Sequence, residues 1–223
     1  MTKTLIVVGG TWETSPWGQC GEVVRQLDSN WKKIWITYPA KYVGTTSYKQ
    51  SYTEGKNNLR TQIKYLDEPF AILGYSQGAK IAGDVAASLA FDSRLERVYL
   101  ISDPERHTDD MVVGPSVPGE GVYGQRRVGP KCRQFAQAGD IVCSNENAVF
   151  RYMAGPTAML CLQHPFAWMR EVGSTQWPGG VNKTTIAEIK KFLKSKVHVS
   201  YNQYEVEPGV TVPEWIVKDL YNL

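Results

Sequence analysis

The sequence of 223 residues has no long hydrophobic run, no marked excess of either charge and few cysteines. No apolar stretch approaches the roughly 20 residues that a membrane-spanning helix needs. The first apolar run, residues 5–8, is too short for the hydrophobic region of a signal peptide. We therefore expect neither a transmembrane segment nor a cleaved leader. The formal net charge of +3 is small and the basic residues are scattered, which argues against nucleic acid as a partner.

Metal ligands are scarce as well. The four cysteines, Cys20, Cys132, Cys143 and Cys161, do not have the spacing of a metal site. We expect no bound metal and no cofactor. So few cysteines are also typical of a protein made in a reducing cytoplasm.

The most informative segment is residues 73–79, Leu-Gly-Tyr-Ser-Gln-Gly-Ala, which contains the pattern G-x-S-x-G around Ser76. The apolar run at residues 69–73 predicts a buried strand. Residues 79–89 predict a helix, because they are rich in alanine and have apolar residues four apart. A strand followed at once by a helix places Ser76 on a sharp turn, where glycines leave room for the backbone. The pattern predicts that Ser76 is a nucleophile.

A serine nucleophile needs a base, and the base needs an acid to orient it. Where this turn occurs in hydrolases, the acid and then the histidine follow the serine along the chain. Asp140 follows a predicted late strand at residues 131–135 and is our first choice as the acid. Asp103 ends the strand predicted at residues 97–102 and is the rival, although the arginine that follows it favours a local ion pair.

Two of the three histidines, His164 and His198, lie far enough downstream to be the base. His198 lies in a loop between a helix predicted at residues 184–194 and a C-terminal helix, where a base can reach the serine. His164 lies among large apolar side chains. We favour His198 as the base and keep His164 as the alternative.

The predicted elements alternate between strand and helix, which implies a parallel sheet covered by helices. Strands are predicted at residues 5–8, 33–37, 69–73, 97–102 and 131–135, and helices at residues 21–28, 51–66 and 79–89. At this length we expect one α/β domain that spans residues 1–223.

Three segments together resemble the cutinase-like serine esterases, namely residues 74–79, 139–143 and 198–201. Within this group the chain is most similar to the mycobacteriophage lysin B enzymes, which are mycolyl-arabinogalactan esterases. Residues 8–13 also resemble the family's Gly-Thr oxyanion loop, and residues 103–106 resemble its Asp/Asn-Pro-x-Arg element. The order and spacing of these pieces carry the resemblance.

The resemblance implies an α/β-hydrolase fold of the cutinase type, a three-layer sandwich with a central parallel sheet and a helical lid or linker insertion. It implies a catalytic triad of Ser76, Asp140 and His198. It also implies an oxyanion hole formed by Thr11 and the backbone N–H of Gln77. None of these residues would bind a metal, and the reaction would need no cofactor.

The implied activity is the hydrolysis of lipid esters, and more specifically of the bond between mycolic acid and arabinogalactan in the mycobacterial envelope during phage lysis. The enzyme would be made in the host cytoplasm without a signal peptide, act at the cell envelope and be a monomer. Two alternatives stay open. One is a general cutinase-like lipase or esterase without a role in lysis, and the other is an inactive hydrolase fold used for binding.

The chain departs from the fungal cutinases at one cysteine. Those enzymes have a cysteine four residues before the acid, but this chain has Ala136 there, so Cys143 lacks that partner. Whether Cys143 pairs with Cys132 instead is left open. The long separation of Asp140 from His198 also departs from the fungal enzymes, and it matches the lysin B pattern.

Residues 144–197 form the predicted insertion, which is rich in aromatic residues and methionine and contains His164. These residues predict either a lid whose apolar wall receives an acyl chain or simply the core of a few packed helices. Both interpretations stay open at the level of sequence.

Overall fold

The computed structural model describes residues 3–13, 16–42, 45–146, 191–192 and 194–223. Most of the predicted insertion, residues 144–197, lies outside these ranges, and so does His164.

The central sheet has five parallel strands. They are β1 (Lys3–Val8), β2 (Trp31–Trp35), β3 (Phe70–Tyr75), β4 (Leu95–Ile101) and β5 (Cys132–Phe135). Their order in the sheet is β2-β1-β3-β4-β5. All six residues of β3 are buried, as expected for a strand that is covered on both faces. The predicted parallel sheet is confirmed, although β2 begins two residues before its predicted start at residue 33.

Alternate residues of β1 belong to two separate cores. The helices around the sheet are α1 (Gln19–Gln26), α2 (Tyr48–Lys64), α3 (Gln77–Ala87) and α4 (Val212–Tyr221). Leu5 and Val7 pack in a cluster with residues of α1 and α4, whereas Ile6 and Val8 pack with residues of α2 and α3. Successive side chains of a strand point to opposite faces. Helices therefore cover both sides of the sheet, which gives the predicted three layers.

Helix α2 begins three residues before its predicted start, because Ser47 caps it. The Ser47 Oγ accepts a hydrogen bond from the backbone N–H of Gln50 at 3.2 Å, and the Gln50 Oε1 accepts one from the backbone N–H of Ser47 at 2.9 Å. This capping box satisfies two amide groups that a helix leaves without an internal acceptor.

Strands β3, β4 and β5 run parallel, so their carboxyl ends lie at one edge of the sheet. Ser76 directly follows β3, Ser102 directly follows β4, and Asp140 lies in the loop after β5. Open parallel sheets place their functional sites at this edge.

A hairpin of β6 (Glu205–Glu207) and β7 (Val210–Thr211) leads into α4. None of the described helices is long and apolar enough to cross a membrane.

Candidate active site

Ser76 occupies a strained turn between β3 and α3. Its φ is 53° and its ψ is −119°, a left-handed conformation that side-chain-bearing residues rarely adopt. A Cβ on Gly74 would lie 2.5 Å from the backbone oxygen of Gly78, and a Cβ on Gly78 would lie 2.0 Å from the backbone oxygen of Val8. Both positions therefore need glycine, which confirms the steric interpretation of the G-x-S-x-G pattern.

A continuous path of hydrogen bonds links Ser76, His198 and Asp140. The Ser76 Oγ lies 3.0 Å from His198 Nε2, and His198 Nδ1 lies 3.1 Å from each carboxylate oxygen of Asp140. Ser76 is 9% exposed and Asp140 is fully buried. These are the relative positions that a nucleophile, a base and an orienting acid require.

His198 is held in place through its backbone as well as its ring. It lies in a short 3-10 helix, Val197–Val199. Its backbone oxygen accepts a hydrogen bond of 2.6 Å from the phenol of Tyr75. The centroids of the Tyr75 and His198 rings lie 5.3 Å apart. The next backbone oxygen, that of Val199, accepts a hydrogen bond of 2.9 Å from the side-chain amide of Gln19. The sequence pattern contains Tyr75, but sequence reasoning assigned it no role.

Asp140 accepts hydrogen bonds from groups that sequence reasoning missed. Its Oδ2 accepts from the hydroxyl of Ser102 at 2.6 Å and from that of Tyr201 at 2.8 Å, and its Oδ1 accepts from the backbone N–H of Val142 at 3.1 Å. Burial would raise the pKa of Asp140, but the nearby His198 and the two hydroxyls outweigh it, and the pKa lies below its ordinary value of 3.8. Asp140 is therefore a carboxylate across the physiological range.

The residues expected to form the oxyanion hole are Gln77, which directly follows Ser76, and Thr11, which follows the strand next to β3. Gln77 is the first residue of α3, so its backbone N–H has no acceptor within the helix and lies at the positive end of the helix dipole. The Gln77 side chain is engaged elsewhere, because its amide donates to the backbone oxygens of Lys41 at 3.2 Å and Tyr48 at 3.4 Å. Thr11 is half-buried in the loop after β1.

The loop that carries Thr11 is held by a carboxylate. Glu13 accepts hydrogen bonds from the backbone N–H groups of Gly10 at 3.0 Å and Gln19 at 2.9 Å, so it ties the loop to the start of α1. The backbone N–H of Trp12 donates a hydrogen bond of 2.7 Å to the backbone oxygen of Ala40. Burial raises the pKa of Glu13 above its ordinary value, although the hydrogen bonds from the two N–H groups oppose that rise.

The rival acid, Asp103, has other partners. Its buried carboxylate pairs with Arg126 at 2.6 Å and accepts a hydrogen bond of 3.1 Å from the side-chain amide of Gln134. The expectation of an ion pair at Asp103 was therefore right in kind, although the partner is Arg126 and not the nearby Arg106. The alternative base, His164, lies outside the described residues, so the structure does not compare it with His198.

Arg106 instead connects the loop that contains Asp140 to the loop that contains Pro118 and Gly119. Its side chain is fully buried and donates to the backbone oxygens of Cys143 at 2.6 Å, Gly119 at 2.6 Å and Pro118 at 2.9 Å. Cys143 lies three residues after Asp140, so Arg106 stabilises the loop that carries the acid. This gives a physical role to the last residue of the Asp-Pro-Glu-Arg segment.

The described cysteines near the site are buried or half-buried thiols. Cys132 and Cys143 are both free thiols, so they do not pair with each other. Burial raises the pKa of both thiols, and neither is a ready nucleophile. Within the part of the chain that the structure describes, no group of histidine, cysteine and carboxylate side chains could hold a metal ion.

One family model matches most of the chain. A family model described as Cutinase matches residues 2–154, a range that includes Ser76 and Asp140 and ends before His198. No curated protein matches the chain. Among solved structures, the chain is similar to a cutinase-like protein from Cryptococcus sp., with 19% identity and a TM-score of 0.49 over 70% of this chain and 93% of that one. It is also similar to a YdeN-like hydrolase from Pectobacterium atrosepticum, with 18% identity and a TM-score of 0.42 over 69% and 72% of the two chains.

Proposed function

Since the chain belongs to the cutinase family and has its α/β-hydrolase fold, we propose that it is a serine esterase that hydrolyses lipid esters through Ser76, His198 and Asp140. Membership of this family supports a carboxylic ester hydrolase. The observation that carries the assignment of residues is the unbroken hydrogen-bond path from the Ser76 Oγ through His198 to Asp140.

The proposed reaction follows from this path. The Ser76 Oγ attacks the ester carbonyl carbon while its proton passes to His198 Nε2, and Asp140 stabilises the imidazolium that forms. The oxyanion is held by the backbone N–H of Gln77 and by Thr11, and each such donor typically contributes about 2.7–4 kcal/mol to transition-state stabilisation. His198 then protonates the leaving alcohol, which leaves an acyl group on Ser76. A water molecule, activated by His198, releases the acid and restores the serine.

The mycolic acid ester of arabinogalactan is the substrate that we propose, and the protein would act as a monomer at the mycobacterial envelope after synthesis in the host cytoplasm. Two observations support a large lipid. Trp12, which is 66% exposed, follows Thr11 in the sequence, and Val199, which is 55% exposed, follows His198, so an exposed apolar residue adjoins each of these two site residues. The separation of 58 residues between Asp140 and His198 is the feature that resembles lysin B.

Labelling with a fluorophosphonate probe tests the nucleophile. We expect one label on the wild type and none on Ser76→Ala, whose kcat on a p-nitrophenyl ester should fall by about 10⁴-fold or more. Ser88→Ala is the matched control, because Ser88 lies at the exposed opposite end of the same helix. Absence of labelling on a folded wild type would reject the esterase proposal and leave an inactive hydrolase fold.

Release of mycolic acid from purified mycolyl-arabinogalactan-peptidoglycan tests the substrate. Release by the wild type and by Ser88→Ala, but not by Ser76→Ala, is the expected result. Hydrolysis of the p-nitrophenyl ester without release of mycolic acid would instead identify a general cutinase-like esterase.

A further inference from the structure

Ser102, on the neighbouring strand, has nearly the same positive φ as Ser76. Its φ is 52°, against 53° for Ser76, and each of the two serines directly follows a parallel strand. Their backbones are linked along the sheet edge, since the Ser76 N–H donates to Ile101 and the Ser102 N–H donates to Phe135, both at 2.9 Å. A non-glycine residue in this region signals strain that the surrounding structure maintains.

The Ser102 hydroxyl contacts both of the groups that assist Ser76. Its Oγ lies 2.6 Å from Asp140 Oδ2 and 3.1 Å from His198 Nδ1, and the residue is fully buried. A hydroxyl has one proton to donate and lone pairs that accept. When the proton is donated to Asp140, a lone pair remains to accept the Nδ1–H of His198. A hydrogen on Nδ1 leaves Nε2 free to take the proton of Ser76.

Asp140 faces few other groups. Its carboxylate contacts His198, the hydroxyls of Ser102 and Tyr201, the backbone N–H of Val142 and, at 3.5 Å, the thiol of Cys143. No lysine or arginine is among these described contacts. The two hydroxyls are therefore the main neutral donors that offset the burial of this charge.

We propose that Ser102 is a positioning residue of the active site. Its hydroxyl holds the carboxylate of Asp140 and the Nδ1–H tautomer of His198 in the arrangement that the triad needs, and Tyr201 is the second hydroxyl donor to the acid. Among the described residues, the Ser102 hydroxyl is hydrogen-bonded to Asp140 and His198 and not to the Ser76 hydroxyl, so it acts through those two residues. The inference rests on the proposed function for its catalytic consequence, although the arrangement of Ser102, Asp140 and His198 can be tested without activity.

Two substitutions at Ser102 separate chemistry from stability. Ser102→Ala removes the hydroxyl and keeps a side chain in the left-handed region, whereas Ser102→Gly removes the hydroxyl and relieves the backbone strain. We expect both variants to lose kcat by about 10- to 100-fold, the size of one hydrogen bond to a charged group, with KM unchanged. The glycine variant should nevertheless unfold at a higher temperature than the alanine variant. If kcat follows the unfolding temperature instead, Ser102 is merely structural and the inference is wrong.

The titration of Asp140 gives a second readout. Without its hydroxyl donors, Asp140 loses two of the interactions that oppose its burial, so its pKa should rise from the wild-type value. We expect the side-chain carboxyl carbon-13 resonance of Asp140 to titrate at higher pH in Ser102→Ala, and at still higher pH in Ser102→Ala combined with Tyr201→Phe. A titration of Asp140 at the wild-type pH in the combined variant would overturn the inference.

A measurement on the histidine ring distinguishes this inference from the proposed function. Nitrogen-15 correlation spectra of the histidine rings, with His198 assigned from a His198→Gln sample, should show the Nδ1–H tautomer in the wild type. They should show a shifted Nδ1–H resonance in Ser102→Ala, because this proton keeps Asp140 as its acceptor but loses the hydroxyl oxygen of Ser102. If the wild type hydrolyses no ester but the spectra change in this way, the proposed function fails and the positioning stands. If the spectrum of Ser102→Ala equals that of the wild type, the positioning fails whatever the activity.

Discussion

The phenol of Tyr75 donates a hydrogen bond of 2.6 Å to the backbone oxygen of His198, so the residue before the nucleophile holds the residue that activates it. The two residues are 123 positions apart in sequence. The bond joins the end of β3 directly to the short 3-10 helix that carries the histidine.

Removing the hydroxyl of Tyr75 should lower kcat more than it lowers the stability of the fold. For Tyr75→Phe we expect kcat to fall by about tenfold, because the ring contact with His198 remains while the hydrogen bond that fixes its backbone is lost. The free energy of unfolding should fall by about 1 kcal/mol. Steady-state kinetics and urea unfolding check both numbers. Tyr65→Phe is the matched control, since Tyr65 is 74% exposed, and an equal loss of kcat in that variant would contradict the explanation.

Substituting alanine for Gly78 should destabilise the protein although it lies in a helix. In an open helix, this change would stabilise the protein by about 1 kcal/mol. Here the new Cβ would lie 2.0 Å from the backbone oxygen of Val8, and we expect a net loss of about 1–3 kcal/mol. Thermal or urea unfolding of Gly78→Ala shows whether the free energy of unfolding falls or rises. The reverse change near the other end of the same helix, Ala87→Gly, should cost only about 1 kcal/mol, so a stabilised Gly78→Ala would show that the backbone can shift.

Acid should reduce the contribution of Asp140 to stability. The pKa of Asp140 in the folded protein lies below its ordinary value, so its ionisation stabilises the fold fully above about pH 4 and loses this effect as the pH falls through the folded pKa. Asp140→Asn should lower the free energy of unfolding by about 2 kcal/mol at pH 7, and the difference from the wild type should shrink below about pH 4. Urea unfolding of the wild type and of Asp140→Asn at several pH values measures this difference in the free energy of unfolding. Asp67→Asn, a change at an exposed carboxylate, is the control and should leave the free energy of unfolding at pH 7 nearly unchanged.

Alkali should unfold the protein through its buried tyrosines. Burial raises the pKa values of five of them: Tyr38, Tyr48, Tyr75, Tyr99 and Tyr201. The neutral phenols are favoured in the folded state, so their contribution to stability is complete below about pH 10 and is lost as the pH rises above it. A titration followed by absorbance near 295 nm and by circular dichroism should show these phenols ionising only as the fold is lost. Their ionisation in a protein with native circular dichroism would contradict the burial that we describe.

The choice of acid shows where sequence reasoning reaches its limit. Asp103 and Asp140 both follow strands of the same sheet, and both lie beyond the nucleophile in sequence. Only the fold brings Arg126 to Asp103 and His198 to Asp140. Ser102, which directly precedes the rival acid, has no motif of its own. Its side chain reaches Asp140 from a left-handed backbone, and that conformation was not evident from the residue type.

The sequence by itself determined the alternation of strands and helices, the parallel sheet and the strained turn at Ser76. These features depend on contacts within a few residues or on patterns of burial that repeat along the chain. The tertiary structure decided which groups meet: the hydroxyls of Ser102 and Tyr201 at Asp140, and the phenol of Tyr75 at His198. Hydrogen bonds of this kind join residues far apart in the chain and depend on distances of a few ångströms. Only the packing of the sheet, the helices and the loops against one another sets such distances.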